Sequence, residues 1–196
     1  WAGTPRRMHH TPHHWVSQRS EAYADCKVFQ VVKHRFRHPI DRREGDFFLI
    51  DSADWVLALP LTPEGRIVLV NQYRFGVDQL SWEPPGGVVD PADAGDLLGA
   101  ACREMREETG YREATCTYLG WVHPNPAIMN NRAHFVLAEG CVPRGGQALD
   151  ANEEIEVAEF TLDEAFAMAA DGRIHHCVAH AAFFALQREL RRRDQA

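Results

Sequence analysis

Three glutamates, Glu104, Glu107 and Glu108, stand at i, i+3 and i+4 in the stretch Arg103-Glu104-Met105-Arg106-Glu107-Glu108-Thr109-Gly110-Tyr111. On a helix this spacing puts all three carboxylates on one face. Like charges so close repel by a few tenths of a kcal/mol per pair in a bare helix. A cation among them turns the repulsion into attraction, and hard carboxylate oxygens favour Mg²⁺ or Mn²⁺. The face follows a glycine loop, Glu83-Pro84-Pro85-Gly86-Gly87. Together they describe a divalent-metal site for a phosphate substrate. Taken without the loop, the same glutamates read as a solvated, charged helix face.

The elements that must hold this site are legible around it. Asp96 can cap the helix, Leu97, Leu98, Ala100, Ala101 and Met105 give it an apolar side, and Gly110 suits a left-handed stop. Upstream, Trp55-Val56-Leu57-Ala58-Leu59-Pro60-Leu61 and Arg66 to Arg74 are apolar runs joined by the turn Thr62-Pro63-Glu64-Gly65. Such runs predict strands covered on both faces. Leu80 to Glu83 leads into the glycine loop. Downstream, strands are expected over Ala114 to Val122, Arg132 to Ala138 and Glu153 to Phe160, and helices from Thr161 to about Ala170 and from Ile174 to Arg193. Near the start, Cys26 to Phe36 predicts one strand and Asp46 to Ile50 its return. Strands, a helix, strands, then helices predict an α/β class, an α/β/α sandwich around a mixed sheet. Residues 1–20, with Arg6, Arg7 and the pairs His9-His10 and His13-His14, are expected to be a flexible tail.

Composition narrows the partners. The chain has 196 residues, 45% hydrophobic and 25% charged, with a net charge of −7. That is enough for one domain with a sizeable core. The negative balance opposes nucleic acid and anionic membranes as partners, while a local cation cluster still admits a small anion. Cys26, Cys102, Cys116, Cys141 and Cys177 have no C-x-x-C spacing. They predict reduced thiols and a cytoplasmic setting. No run approaches the roughly 18 apolar residues of a membrane span, and no secretory leader is expected.

Arg103 to Tyr111, with the Gly-Gly pair before it, resembles the ending of the Nudix box, G-x5-E-x7-R-E-U-x-E-E-x-G-U with U apolar. Counting back from Arg103 puts Gly95 at the box's first glutamate, whereas counting on from Gly87 puts Asp93 there. The loop from Val88 to Gly95 therefore carries a two-residue insertion, with Asp93 or Asp96 in place of the glutamate. The resemblance implies a Nudix domain over residues 53–196, preceded by an N-terminal antiparallel layer over 21–52. Asn71-Gln72-Tyr73-Arg74, Pro126, Asn152-Glu153-Glu154-Ile155-Glu156 and Gly172-Arg173-Ile174 further resemble the ADP-ribose and nucleotide-sugar pyrophosphatase branch.

That branch implies metal-dependent hydrolysis of the pyrophosphate in a nucleoside diphosphate sugar, ADP-ribose favoured, giving a nucleoside monophosphate and a sugar phosphate. It implies Mg²⁺, or Mn²⁺, on Glu104, Glu107, Glu108 and the Gly86 carbonyl. Glu153 leads as base or water-orienting acid, followed by Glu154 and Asp150, with Glu107 as a further catalytic candidate. Arg103 is expected to orient a box glutamate. Arg43, Arg74, Glu83, Asn125 and Arg132 are the substrate-binding candidates, and His123, Asn130 and Asn131 are further sugar contacts. The N-terminal strands imply a homodimer. Alternatives are a GDP-sugar hydrolase, a non-catalytic nucleotide-sugar binder with a degenerate box, and a nucleoside-triphosphate or dinucleoside-polyphosphate enzyme.

Overall fold

The computed structural model describes residues 11–93 and 95–195. Arg6, Arg7, His9 and His10 lie outside the described residues. The chain divides into two compact units. One runs through Ser52 and includes Ala127–Asn130; the other holds Ala53–Pro126 and Asn131–Ala196.

The first unit is a three-stranded antiparallel sheet, β1 (Val16–Asp25), β2 (Gln30–Arg37) and β3 (Glu44–Asp51), in that order. It starts earlier than expected, since Val16 to Ser20 pair with β2 instead of belonging to a tail. The single strand expected from Cys26 to Phe36 is broken at its start. Asp25 Oδ1 accepts from the Lys27 amide at 2.9 Å, and Lys27 takes φ +66°. That local side-chain bond turns the chain before β2 begins. Cross-strand charge pairs, Lys33 with Glu21 and Asp46, and Arg35 with Glu44 and Asp46, hold the sheet. Residues 127–130 join it through the Ile50 amide, 2.7 Å from the Ile128 carbonyl.

The second unit is built on a seven-stranded mixed sheet. Its elements are β4 (Trp55–Leu61), β5 (Ile67–Arg74), β6 (Gln79–Glu83), β7 (Gly86–Val88), α1 (Leu97–Thr109), β8 (Tyr111–Arg112), β9 (Thr115–Val122), β10 (Ala133–Glu139), β11 (Val142–Pro143), β12 (Ile155–Phe160), α2 (Leu162–Asp171) and α3 (Cys177–Asp194). The central order is β12-β5-β4-β10-β9, with β6 on β5 and β7 on β4; β8 and β11 pair separately. β4 and β10 run parallel. The other pairings are antiparallel.

The apolar run of β4 is explained by helices on both faces. Val56 and Ala58 pack with Ala100, Ala101 and Met105 of α1. Leu57 and Leu59, one residue out of phase, pack with Val178, Ala182, Phe183 and Leu186 of α3. Each of the Val, Leu, Phe and Met side chains among these, moved fully out of water, contributes about 1.5–3 kcal/mol. The expected sandwich around a mixed sheet is the observed one. Boundaries move by a few residues. β12 begins at Ile155 and α3 at Cys177, which leaves Glu153, His175 and His176 in loops.

Candidate metal and phosphate site

Helix α1 is fixed at both ends. Asp96 Oδ1 accepts from the Gly99 amide at 2.9 Å, and Gly110, at φ +73°, closes the helix with its amide on the Arg106 carbonyl. Alongside, β7 pairs with β4, Gly87 opposite Val56 and Gly86 opposite Leu57. This pairing lays the glycine backbone against the glutamate face. The Gly86 amide donates to Glu108 Oε2 at 2.9 Å. A Cβ on Gly87 would lie 2.5–2.7 Å from the Glu104 carboxylate atoms. A Cβ on Gly86 would overlap the Val56 carbonyl. Glycine at both positions is a requirement of close approach.

Burial works against charge on two of the three carboxyls. Glu108 is 5% exposed, and burial pushes its carboxyl up to about 8. The Gly86 amide pulls the other way, while Glu104 and Glu153 add repulsion. Burial also raises Glu104, partly offset by Arg103. Glu107 is the open member, with its side chain 43% exposed. Arg103 reaches Glu104 at 2.9 Å, Glu107 at 3.0 Å and Asp93 at 3.1 Å. Asp93 sits on a short turn, Pro91–Asp93, and its pairing with Arg103 holds its carboxyl below the usual range. The two acids considered for the inserted loop therefore divide the work: Asp93 binds Arg103 and Asp96 caps α1.

A cavity of about 1010 Å³ opens beside this face, lined among others by Gly86, Gly87, Arg74, Glu83, Glu153 and Glu154. Glu153 bears electrostatically on Glu104, Glu108 and Arg74. Its Oε2 accepts from the Asp150 amide at 2.9 Å, so Asp150 steadies it through the backbone. Arg74 Nε donates to Glu83 Oε1 at 2.7 Å, and His176 Nδ1 lies 2.7 Å from Glu83 Oε2. Glu83 is 1% exposed. Burial alone would raise its carboxyl, but the bonds to His176 and Arg74 outweigh burial and hold it low.

Most of the remaining sequence candidates have partners of their own. Arg43 belongs to the N-terminal unit, paired with Asp41 at 2.6 Å and stacked over Trp15 at 5.2 Å. Arg132 stacks over Trp121 at 4.7 Å, and Asn125 is exposed in its loop. Neither lines the cavity. His123 contacts the Asn131 carbonyl at 3.0 Å, Asn131 donates to the Ala53 carbonyl, and Asn130 pairs with Asp51. His176 was missed. It lies 93 residues from Glu83, and no local spacing announces the contact.

The NUDIX domain family matches residues 52–180. The chain belongs to the Nudix family. It is 36% identical over 108 residues to a CMP-5'-(N-acetyl-N-hydroxy-3-aminopropyl)phosphonate hydrolase of Streptomyces rubellomurinus, covering 55% of this chain and 51% of that protein. To the ADP-ribose pyrophosphatase of Bacillus subtilis it is 30% identical over 121 residues, covering 61% and 64%. This Nudix chain thus spans between half and two thirds of the length of these relatives. A crystal structure of an ADP compounds hydrolase superposes with a TM-score of 0.81 at 17% identity, covering 95% of this chain and 100% of that one. The resemblance to Nudix enzymes of the ADP-ribose and nucleotide-sugar branch is borne out by these matches.

Proposed function

We propose that this Nudix chain hydrolyses the pyrophosphate bond of a nucleoside diphosphate sugar with Mg²⁺, ADP-ribose being the leading substrate. The observation that carries the reading is Glu108, a buried carboxyl beside Glu104 and against a glycine backbone, with Glu153 near enough to bear on its charge. Buried carboxylates so arranged fit a hard divalent cation, which supplies charge neutralisation of the diphosphate and a more acidic water. Glu104, Glu107, Glu108 and the Gly86 carbonyl would hold that cation. Arg103 holds Glu104 and Glu107 in orientation. Arg74, itself fixed by Glu83, offers its guanidinium to the phosphates. Glu153 takes the proton of the attacking water, and Glu154 is the alternative. The products are a nucleoside monophosphate and a sugar phosphate. Both named relatives act, by their names, on a nucleotide, which supports this substrate class.

The irregular Val88 to Gly95 loop was the ground for a non-catalytic binder. Asp93 still reaches Arg103 across it, which favours the hydrolase. The test is a panel of ADP-ribose, GDP-sugars and other nucleotide sugars, assayed for nucleoside monophosphate with Mg²⁺ and with chelator. Chelator-sensitive release that is lost in Glu104→Gln and Glu108→Gln is expected. Binding without turnover of any member, or full activity of both variants, would reject the reading.

A further inference from the structure

Cys102 and Cys116 meet on the side of α1 away from the glycine loop. Cys102 is 5% exposed on α1, directly before Arg103 and Glu104; Cys116 is half-buried on the edge strand β9. Their sulfurs are 2.8 Å apart, although 14 residues separate them in the chain. That is well inside ordinary sulfur contact and approaches the bond length of about 2.05 Å. Glu113 completes a cluster whose ligand atoms lie within 4.8 Å of one another. Its carboxylate, however, faces Arg106 with both oxygens. The two thiols are thus left facing each other, and this favours a dithiol over a metal site.

We propose that Cys102 and Cys116 form a reversible disulfide by exchange with a small-molecule disulfide such as oxidised glutathione. The half-buried Cys116 sulfur, as thiolate, attacks one sulfur of the small disulfide and releases one glutathione thiolate. The Cys102 sulfur then attacks the Cys116 sulfur of the mixed disulfide and releases the second. Two protein thiols and one disulfide become one protein disulfide and two small thiols, which carry away the two protons. The bridge ties the glutamate-bearing helix to the sheet edge. It rests on the positions of the two cysteines and stands whether or not the proposed substrate is correct.

The test incubates the whole chain with oxidised glutathione, quenches in acid, alkylates and maps peptides. Cys26 and Cys177 are exposed and serve as internal references that take simple glutathione adducts. The expected product links the Cys102 and Cys116 peptides, reverts with dithiothreitol, and raises the melting temperature over the reduced protein. In Cys102→Ser, Cys116 should stop at the glutathione adduct, and no melting shift should appear. Wild type in which Cys26 and Cys177 react while Cys102 and Cys116 remain alkylatable overturns the proposal. So does wild type in which Cys116 accumulates as an adduct without closing.

Discussion

Glu108 carries its carboxyl at 5% exposure, with the Gly86 amide donating to Oε2. Its carboxyl lies at about 8 in the folded, metal-free chain against the ordinary 4.5. Between those values the folded state binds more protons than the unfolded one. The stability of the metal-free protein therefore falls as pH rises from 4.5 to 8, by at most about 1.4 kcal/mol per pH unit from this group. Glu104, also raised, adds in the same direction. Glu83 and Asp93, both lowered, contribute stability that is lost only as pH falls through their low folded values. Urea melts across this window should show the fall in wild type and a flatter curve in Glu108→Gln, with Mg²⁺ flattening wild type as well. Equal slopes in both proteins without metal would refute the assignment. Turnover by Glu108→Gln should drop at least about 100-fold, since even an outer partner of a metal ligand costs 10–100-fold. His176 offers a second check. Removing it in His176→Ala leaves the buried Glu83 short of a partner, at a cost of about 2 kcal/mol in urea unfolding. The glutamates of α1 were readable because i, i+3, i+4 spacing is a property of one helix. The Glu83–His176 contact was unreadable because it depends on where α3 starts relative to β6.

Among the elements, β7 has three residues yet decides the geometry of the site. Its pairing with β4 brings two glycines against α1, and the two differ in what a methyl group would meet. At Gly87 the obstacle is the movable end of Glu104; at Gly86 it is the Val56 carbonyl and Leu57 backbone. Gly87→Ala should therefore fold with nearly unchanged stability but displace Glu104, with activity falling on the order of 100-fold for a shift of about 1 Å. Gly86→Ala should instead break the β4–β7 pairing and lower the melting temperature. Parallel thermal melts and Mg²⁺ titrations separate the two, and identical losses of stability would contradict the geometry. Long elements were legible in the sequence. The apolar run Trp55 to Leu61 is a strand because its alternating residues serve two helices. The break after Asp25 escaped notice because one side-chain-to-amide bond outweighs the β-branched residues that follow.

At the scale of the whole molecule, the N-terminal sheet has too few strands to cover its own aromatic side chains. Tyr23 is 67% exposed and packs edge-on against Phe48, itself 48% exposed, with ring centroids 4.8 Å apart. A second set, Trp15, Phe36 and Phe47, meets at 5.7–6.0 Å, and Phe47 is 45% exposed. Three strands fold stably when an apolar face is packed, and exposed aromatic patches mark interaction surfaces. A homodimer, as the family resemblance implies, would give this sheet a cover of its own kind, and the expectation is testable. Light scattering of the chain at micromolar concentration should therefore report twice the 22.2 kDa chain mass. Phe48→Glu puts a charge into the covered patch, where burial without a partner costs several kcal/mol. It should shift the population to monomer while leaving the melting of the Nudix unit largely intact, because the core around β4, α1 and α3 is formed by residues of that unit alone. Should wild type run as a monomer at these concentrations, or Phe48→Glu remain dimeric, the sheet is not the interface. In that case its aromatic faces call for a partner other than a second copy.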